Sequence, residues 1–113
     1  MIASGRGERM LITSKLEVEL DLVRRHVEIL KEVMKNQPIG IIKLSQTLNI
    51  PEHKIRYSLR ILEQEKLIEP SPEGAKITKR AKRELKNIRE SLERIVKEAE
   101  EIVKNIEEME ALF

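Results

Sequence analysis

The sequence predicts a mainly α fold in which a helix-turn-helix sits between a long first helix and a long last helix. Three observations lead there. Residues 44–69 read LSQTLN and then IPEHKIRYSLRILEQEKLIE, a short helix, a turn and a second helix on a small apolar skeleton. Residues 14–37 carry an apolar period of four and three that ends at Pro38. Residues 79–113 carry the same period with no Pro or Gly inside it.

Residues 1–13 hold Gly5, Gly7, Arg6 and Arg9 without a helical period, so a flexible N-terminal arm is expected. A basic arm of this kind is also suited to a minor groove. Ser14 with Glu17 fits a capping box, in which each side chain satisfies a backbone N–H at the start of a helix. Leu16, Leu20, Val23, Val27, Leu30 and Met34 then recur at spacings of four and three. From about Arg24 this helix should pack inside the domain, which leaves Leu16, Leu20 and Val23 in need of another partner. His26 reads as an ordinary surface or half-buried residue.

In the helix-turn-helix, Leu44 and Leu48 are four apart, Ile50 sits in the turn, and Pro51 is expected at the first helical position. Ile55, Leu59 and Leu62 follow as one buried face. At about 100° per residue, His53, Tyr57, Arg60 and Gln64 lie opposite Ile55, with Lys54 and Arg56 on the flanks. Arg presents two donors to guanine, Lys and Arg neutralise phosphates, and Tyr or His hydrogen-bonds to the backbone. The pattern implies nucleic-acid recognition, although a merely solvated helix face carries the same residue types.

Over about residues 24–85 the chain resembles the winged helix-turn-helix family of transcriptional regulators, and within it the small archaeal and bacterial regulators similar to the ArsR, MarR and PadR groups. HVEILKEVMKNQPIGIIKLSQTLNI resembles the family's first helix, linker and second helix. IPEHKIRYSLRILEQEKLIE resembles the recognition helix entering the first wing strand, EGAKIT the second wing strand, and KRAKREL the exit helix. The resemblance implies a winged helix-turn-helix domain over residues 14–78, mainly α with a small β-wing. Its recognition helix would span about residues 51–65 and its wing about residues 67–78. It further implies that His53, Lys54, Arg56, Tyr57 and Arg60 face the major groove of double-stranded DNA. One departure concerns the wing tip, Ser71-Pro72-Glu73-Gly74, which is acidic, and Lys76 is the sole basic residue between Leu67 and Thr78. Lys79, Arg80 and Arg83 just beyond the wing, with Lys43, are then expected to meet phosphates.

After Thr78, a candidate N-cap, Ala81, Leu85, Ile88, Leu92, Ile95, Ala99, Ile102, Ile106, Met109 and Phe113 alternate spacings of four and three. A helix over residues 79–113 is about 50 Å long at 1.5 Å per residue, more than a small domain covers. Its seam, Leu85 to Met109, predicts a homodimerisation helix, with Leu16 and Leu20 of the first helix as a second layer. Val96 and Val103 widen the seam, which favours a bundle of four helices over a bare two-stranded coil. The alternative is an intramolecular hairpin of the first and last helices in a monomer. Net charge is only +2, but residues 79–89 hold six bases against Glu84, whereas residues 90–113 hold three bases against eight acids. That asymmetry turns the winged end toward DNA and the distal end away from it.

There is no cysteine, so disulfides, thiol nucleophiles and cysteine metal sites are excluded. His26 and His53 lack partners at ligand spacing, and no phosphate loop, nucleophile elbow or catalytic carboxylate pair is present. No metal, cofactor or enzymatic activity is expected. The longest uncharged run, residues 44–51, cannot span a bilayer and no signal peptide is visible, so a cytoplasmic location is expected. The reading that results is a homodimeric, sequence-specific DNA-binding transcriptional regulator; no effector site is legible. The alternative is a winged-helix protein interaction module without sequence readout, which the acidic wing tip and small net charge favour.

Overall fold

The structure, a computed structural model, describes residues 11–113. Its elements run α1 (Leu11–Asn36), α2 (Ile41–Leu48), α3 (Glu52–Gln64), β1 (Ile68–Ser71), β2 (Gly74–Ile77) and α4 (Lys79–Glu110). This is the mainly helical fold with a small antiparallel wing that the sequence predicts. By internal contacts the chain divides after Thr78 into a winged unit and a second unit made of the last helix.

Within the winged unit α1 packs on α3 and β2, and α3 packs on α2 and β1. Ile29 and Val33 of α1, Leu44 of α2 and Ile55 of α3 are fully buried, with Leu30, Ile39, Leu62, Leu67 and Ile68 close behind. Each such side chain contributes about 1.5–3 kcal/mol relative to an exposed one. Leu48, Ile50 and Leu59, expected in the same skeleton, are partly buried at its margin.

Three expectations for the helices change. The chain is already helical at Leu11, so residues 11–13 belong to α1 rather than to an arm, and Ser14 lies inside the helix instead of capping it. Nothing in LITSK breaks a helix, and a capping box needs its Ser to be the first residue outside one. The arm's remaining residues, with Arg6 and Arg9, lie outside the described residues. The second change is in the packing face of α1. Ile29 and Val33 are buried, whereas Val23 is 37% and Val27 42% exposed. Two apolar stripes about 110° apart on the helix meet at Leu30, and the sequence period followed the outward one. Third, Pro51 has ψ 144° and flanks α3 as its N-cap, because its carbonyl accepts from the backbone N–H of Lys54 (3.0 Å) and Ile55 (3.1 Å). Glu52 therefore opens the helix, with its carboxylate at the favourable end of the helix dipole.

The turn between α2 and α3 is closed by Asn49 in the left-handed region (φ 56°) and by Ser45. The Ser45 hydroxyl donates to the Ile50 carbonyl at 2.6 Å, and its own carbonyl accepts from the Ile50 N–H at 3.2 Å. At the other end of α3, Lys66 is left-handed (φ 62°), its N–H donates to Glu63 O, and the Leu67 N–H donates to Leu62 O, both at 2.9 Å. That pair of bonds with buried Leu62 and Leu67 forms a Schellman stop, which delivers the chain into β1.

β1 and β2 pair antiparallel from Ile68↔Ile77 to Ser71↔Gly74, with Pro72 and Glu73 at the tip. Ile39 adds a short third edge: its N–H donates to Ala75 O at 3.1 Å, and the Ala75 N–H donates to Ile39 O at 2.8 Å. Gln37 Oε1 accepts from the Ile77 N–H at 2.8 Å, and Thr78 Oγ1 donates to Lys66 O at 2.7 Å just before α4 begins. The wing is thus laced to the segment before α2 and to the end of α3. Among the described residues no helix is long and apolar enough to cross a membrane.

Gly74 makes that lacing feasible. Its φ is +134°, and a Cβ there would collide with the Ile39 carbonyl carbon and lie 2.6 Å from Ile39 O and 2.8 Å from Gly40 N. Gly74→Ala should therefore lower stability by about 2–3 kcal/mol, since both the dihedral and the close backbone approach are strained. Urea denaturation checks it; an unchanged midpoint would refute this account of the wing.

Candidate nucleic-acid interface

α3 buries Ile55, Ser58 and Leu62 on one stripe and leaves His53, Lys54, Arg56, Tyr57 and Arg60 exposed on the rest. The rotation of the helix is fixed by that stripe. His53, Tyr57 and Arg60 consequently project away from the core, with Arg56 and Lys54 on either flank. This is the arrangement a recognition helix needs, because donors on one face must reach base edges while the other face stays packed.

Lys54 also borders a recess of about 480 Å³ between α1 and the start of α3, where Arg24, Arg25, Asp21 and Glu28 meet it. Lys43 is exposed on α2, and Lys76 stands on β2 directly across the ladder from Glu69. Lys76 therefore faces a carboxylate-bearing neighbour, and Glu69 and Glu73 keep the wing acidic on its exposed side. Lys79, Arg80 and Arg83 lie exposed in the first turns of α4, in the second unit. The winged unit thus brings together the five α3 residues; the α4 cations are a separate group.

Sequence reasoning missed how α1 holds the recognition helix. Ser58 Oγ, fully buried, accepts a hydrogen bond from Arg25 Nε at 2.9 Å and is hydrogen-bonded to His26 Nδ1 at 2.8 Å, the hydroxyl donating in the Nε2–H tautomer of the ring and accepting in the Nδ1–H tautomer. The Arg25 guanidinium carbon lies 5.9 Å from the Tyr57 ring centroid, and the His26 ring 6.1 Å from it, tilted by 35°. Tyr57 is thereby steadied at 40% exposure beside the cationic face. A sequence signal did exist: Ser58 falls three after Ile55 and four before Leu62, and a small polar residue on a buried stripe needs a partner from the facing helix.

His26 is held below its ordinary pKa of 6.5, first by burial and then by the adjacent Arg25 charge. Both causes disfavour the imidazolium. Among the described residues no group of three or more His, Cys, Asp or Glu is placed to hold a metal ion.

A family model for the CggR N-terminal DNA binding domain matches residues 22–96. The chain belongs to that family. The match covers 75 of the 113 residues, from the turn of α1 that precedes Arg25 and His26 to the middle of α4. It spans every α3 residue named above and supports the resemblance as far as a DNA-binding regulator domain. No curated protein matches the chain. Double-stranded DNA is accordingly the partner for which this family's helix-turn-helix is built.

The His26 contact has a testable pH signature. Because its pKa is lower in the folded chain than in the unfolded one, the unfolded state binds the proton more tightly between the two values. The stability tied to this site is complete above about pH 6.5 and falls as pH drops through the window below it, levelling off under the folded pKa. Urea midpoints between pH 7.5 and 5.5 should decline for the native chain, and His26→Gln should flatten that decline. Equal declines in the two proteins would assign the pH dependence elsewhere.

Proposed function

We propose that this chain is a homodimeric transcriptional regulator that reads duplex DNA sequence through α3. The observation that carries this reading is the exposed set His53, Lys54, Arg56, Tyr57 and Arg60 on a helix whose opposite stripe is buried. Arg60, Arg56 and Tyr57 are the residues for base edges. Lys54 and Lys43, with Lys79, Arg80 and Arg83, position phosphates, and Lys76 contributes least because it stands opposite Glu69.

Dimerisation is supported by exposed apolar surface. On α4, Ile95, Val96, Ile102, Val103, Ile106 and Met109 are each at least 42% exposed, and on α1 Leu16 and Leu20 are 53% and 44% exposed. Leu85 is exposed, Ile88 and Leu92 are half-buried, and Ala99 is exposed on the same seam. Surface of this kind needs a cover, and a second copy offers the same seam. α4, which ends at Glu110 rather than at the expected Phe113, then serves as the dimerisation helix, and two-fold symmetry offers two recognition helices to an inverted repeat.

The deciding experiment is binding to random-sequence duplex DNA at two salt concentrations, followed by selection of the tightest binders. Steep salt dependence with enrichment of an inverted repeat is expected, since each neutralised phosphate releases counterions. Absence of binding at low salt would favour a protein interaction module, the reading suited to the exposed acids of the wing, Glu69 and Glu73. Arg60→Ala should weaken specific binding by about 1–3 kcal/mol and relax preference at one base pair; an unaltered preference removes Arg60 from the readout. Ile102→Asp should place a charge in the seam and give monomers with much weaker operator binding. If that variant sediments like the native protein, the seam is not the interface.

A further inference from the structure

We propose that the occupant of the α4 seam is the α4 of a second copy running antiparallel, so that the basic end of each helix lies along the acidic end of the other. This rests on the dimer reading and adds its orientation. Two features of the chain support it, one electrostatic and one steric.

The helix is sharply divided in charge. Residues 79–89 sum to +5 and residues 90–113 to −5. Paired helices lie about 8–10 Å apart, within about one Debye length at physiological salt, so facing segments feel each other's charge. A parallel pair would gain a contact between Glu84 and Arg89 on each side, one position before and one after seam residues. It would also stack the two +5 segments on each other and the two −5 segments on each other. The antiparallel pair instead sets the +5 segment against residues 105–113 of the second copy, which sum to −3, and brings Lys82 beside Glu110, since both flank the seam from the same side.

Packing agrees with the charge. In the register that pairs every seam residue from Leu85 to Met109, Leu85 faces Met109, Ile88 faces Ile106, Leu92 faces Ile102 and Ile95 faces Ala99 of the second copy. Ile95 of each copy, beside the midpoint, thereby meets the small Ala99 of the other, whereas a parallel pair sets Ala99 against itself and opens a gap in the seam. Exposure follows the same division: Met109 and Ile106 at the distal end are 53% and 49% exposed and Leu85 at the basal end is 43% exposed, so both ends present apolar surface to each other.

Orientation is read by crosslinking, which the native chain permits because it has no cysteine. Single variants Leu85→Cys, Met109→Cys and Val96→Cys are treated with a short bismaleimide at a protein concentration where sedimentation shows the native assembly. In the antiparallel pair Val96 of one copy lies beside Val96 of the other on one side of the seam, so Val96→Cys should crosslink to itself and report that α4 is the interface. Met109 and its counterpart would be about 36 Å apart in the antiparallel pair, at 1.5 Å per residue over the offset between them. Met109→Cys alone should therefore stay uncrosslinked, whereas Leu85→Cys mixed and re-equilibrated with Met109→Cys should give the heterologous product. Self-crosslinking of Met109→Cys in a dimer overturns the orientation and leaves the dimer standing. A native chain that sediments as a monomer, or a dimer in which none of these variants crosslinks, alone or mixed, overturns the α4 dimer itself and the orientation with it.

Discussion

The rotation of α3 about its own axis decides what this protein presents to a partner. One narrow stripe sets it: Ile55 and Leu62 enter the core formed by Ile29, Val33 and Leu44, and Ser58 between them is hydrogen-bonded by Arg25 from α1. A shift of one residue in that stripe would swing the exposed face by about 100° and send Arg60 toward the flank. Apolar burial supplies most of the energy but tolerates some sliding. The Ser58 contacts do not, because a buried hydroxyl that loses its partners costs about 1–3 kcal/mol. Helix packing therefore gives the affinity of α1 for α3, and Arg25 with His26 gives its register.

The wing depends on a different constraint, the closeness of Gly74 to the backbone of Ile39 and Gly40. That approach lets Ile39 pair with Ala75 and ties the hairpin to the linker before α2. The start of α2, the end of α3 and both wing strands then move as one body, since the Schellman stop at Lys66 and the Thr78 hydroxyl bond close the other side. In a DNA-binding domain such a frame holds the recognition helix at a fixed angle. The tip that the frame carries is acidic, so its work is support of α3 more than contact with phosphates.

Much of this was legible from residue spacing, and what was not has a physical reason. α2, α3 and α4 follow from apolar periods, turn residues and the absence of Pro and Gly inside α4, all of which act locally, whereas the wing is what the resemblance to winged helix-turn-helix regulators implies. The cationic face of α3 was legible because Ile55 and Leu62 fix the buried side of that helix. α1 was harder: it is apolar around more than one face, and Val23 and Val27 keep the heptad better than Ile29 and Val33, so periodicity alone selected the exposed stripe. The Arg25–Ser58–His26 contact crosses more than thirty residues of sequence, and no local rule pairs those side chains. Pro51 shows the opposite case, in which a local rule identified the element and missed its first residue by one position.

The small net charge of the chain is no obstacle to binding DNA once the positions of its cations on α4 are separated by seam geometry. In the proposed antiparallel pair, Lys82 and Arg89 flank the seam and are directed at the acidic end of the second copy. Lys79, Arg80 and Arg83 occupy outer positions of the same turns, away from the seam. In that proposal the first group contributes to assembly and the second is directed outward, toward phosphates. An overall sum of charge near zero is then what such a molecule requires: acids at the distal end of α4 neutralise the seam-flanking bases of the partner, and the cations of α3 and the outer face of α4 are left as the field that DNA encounters.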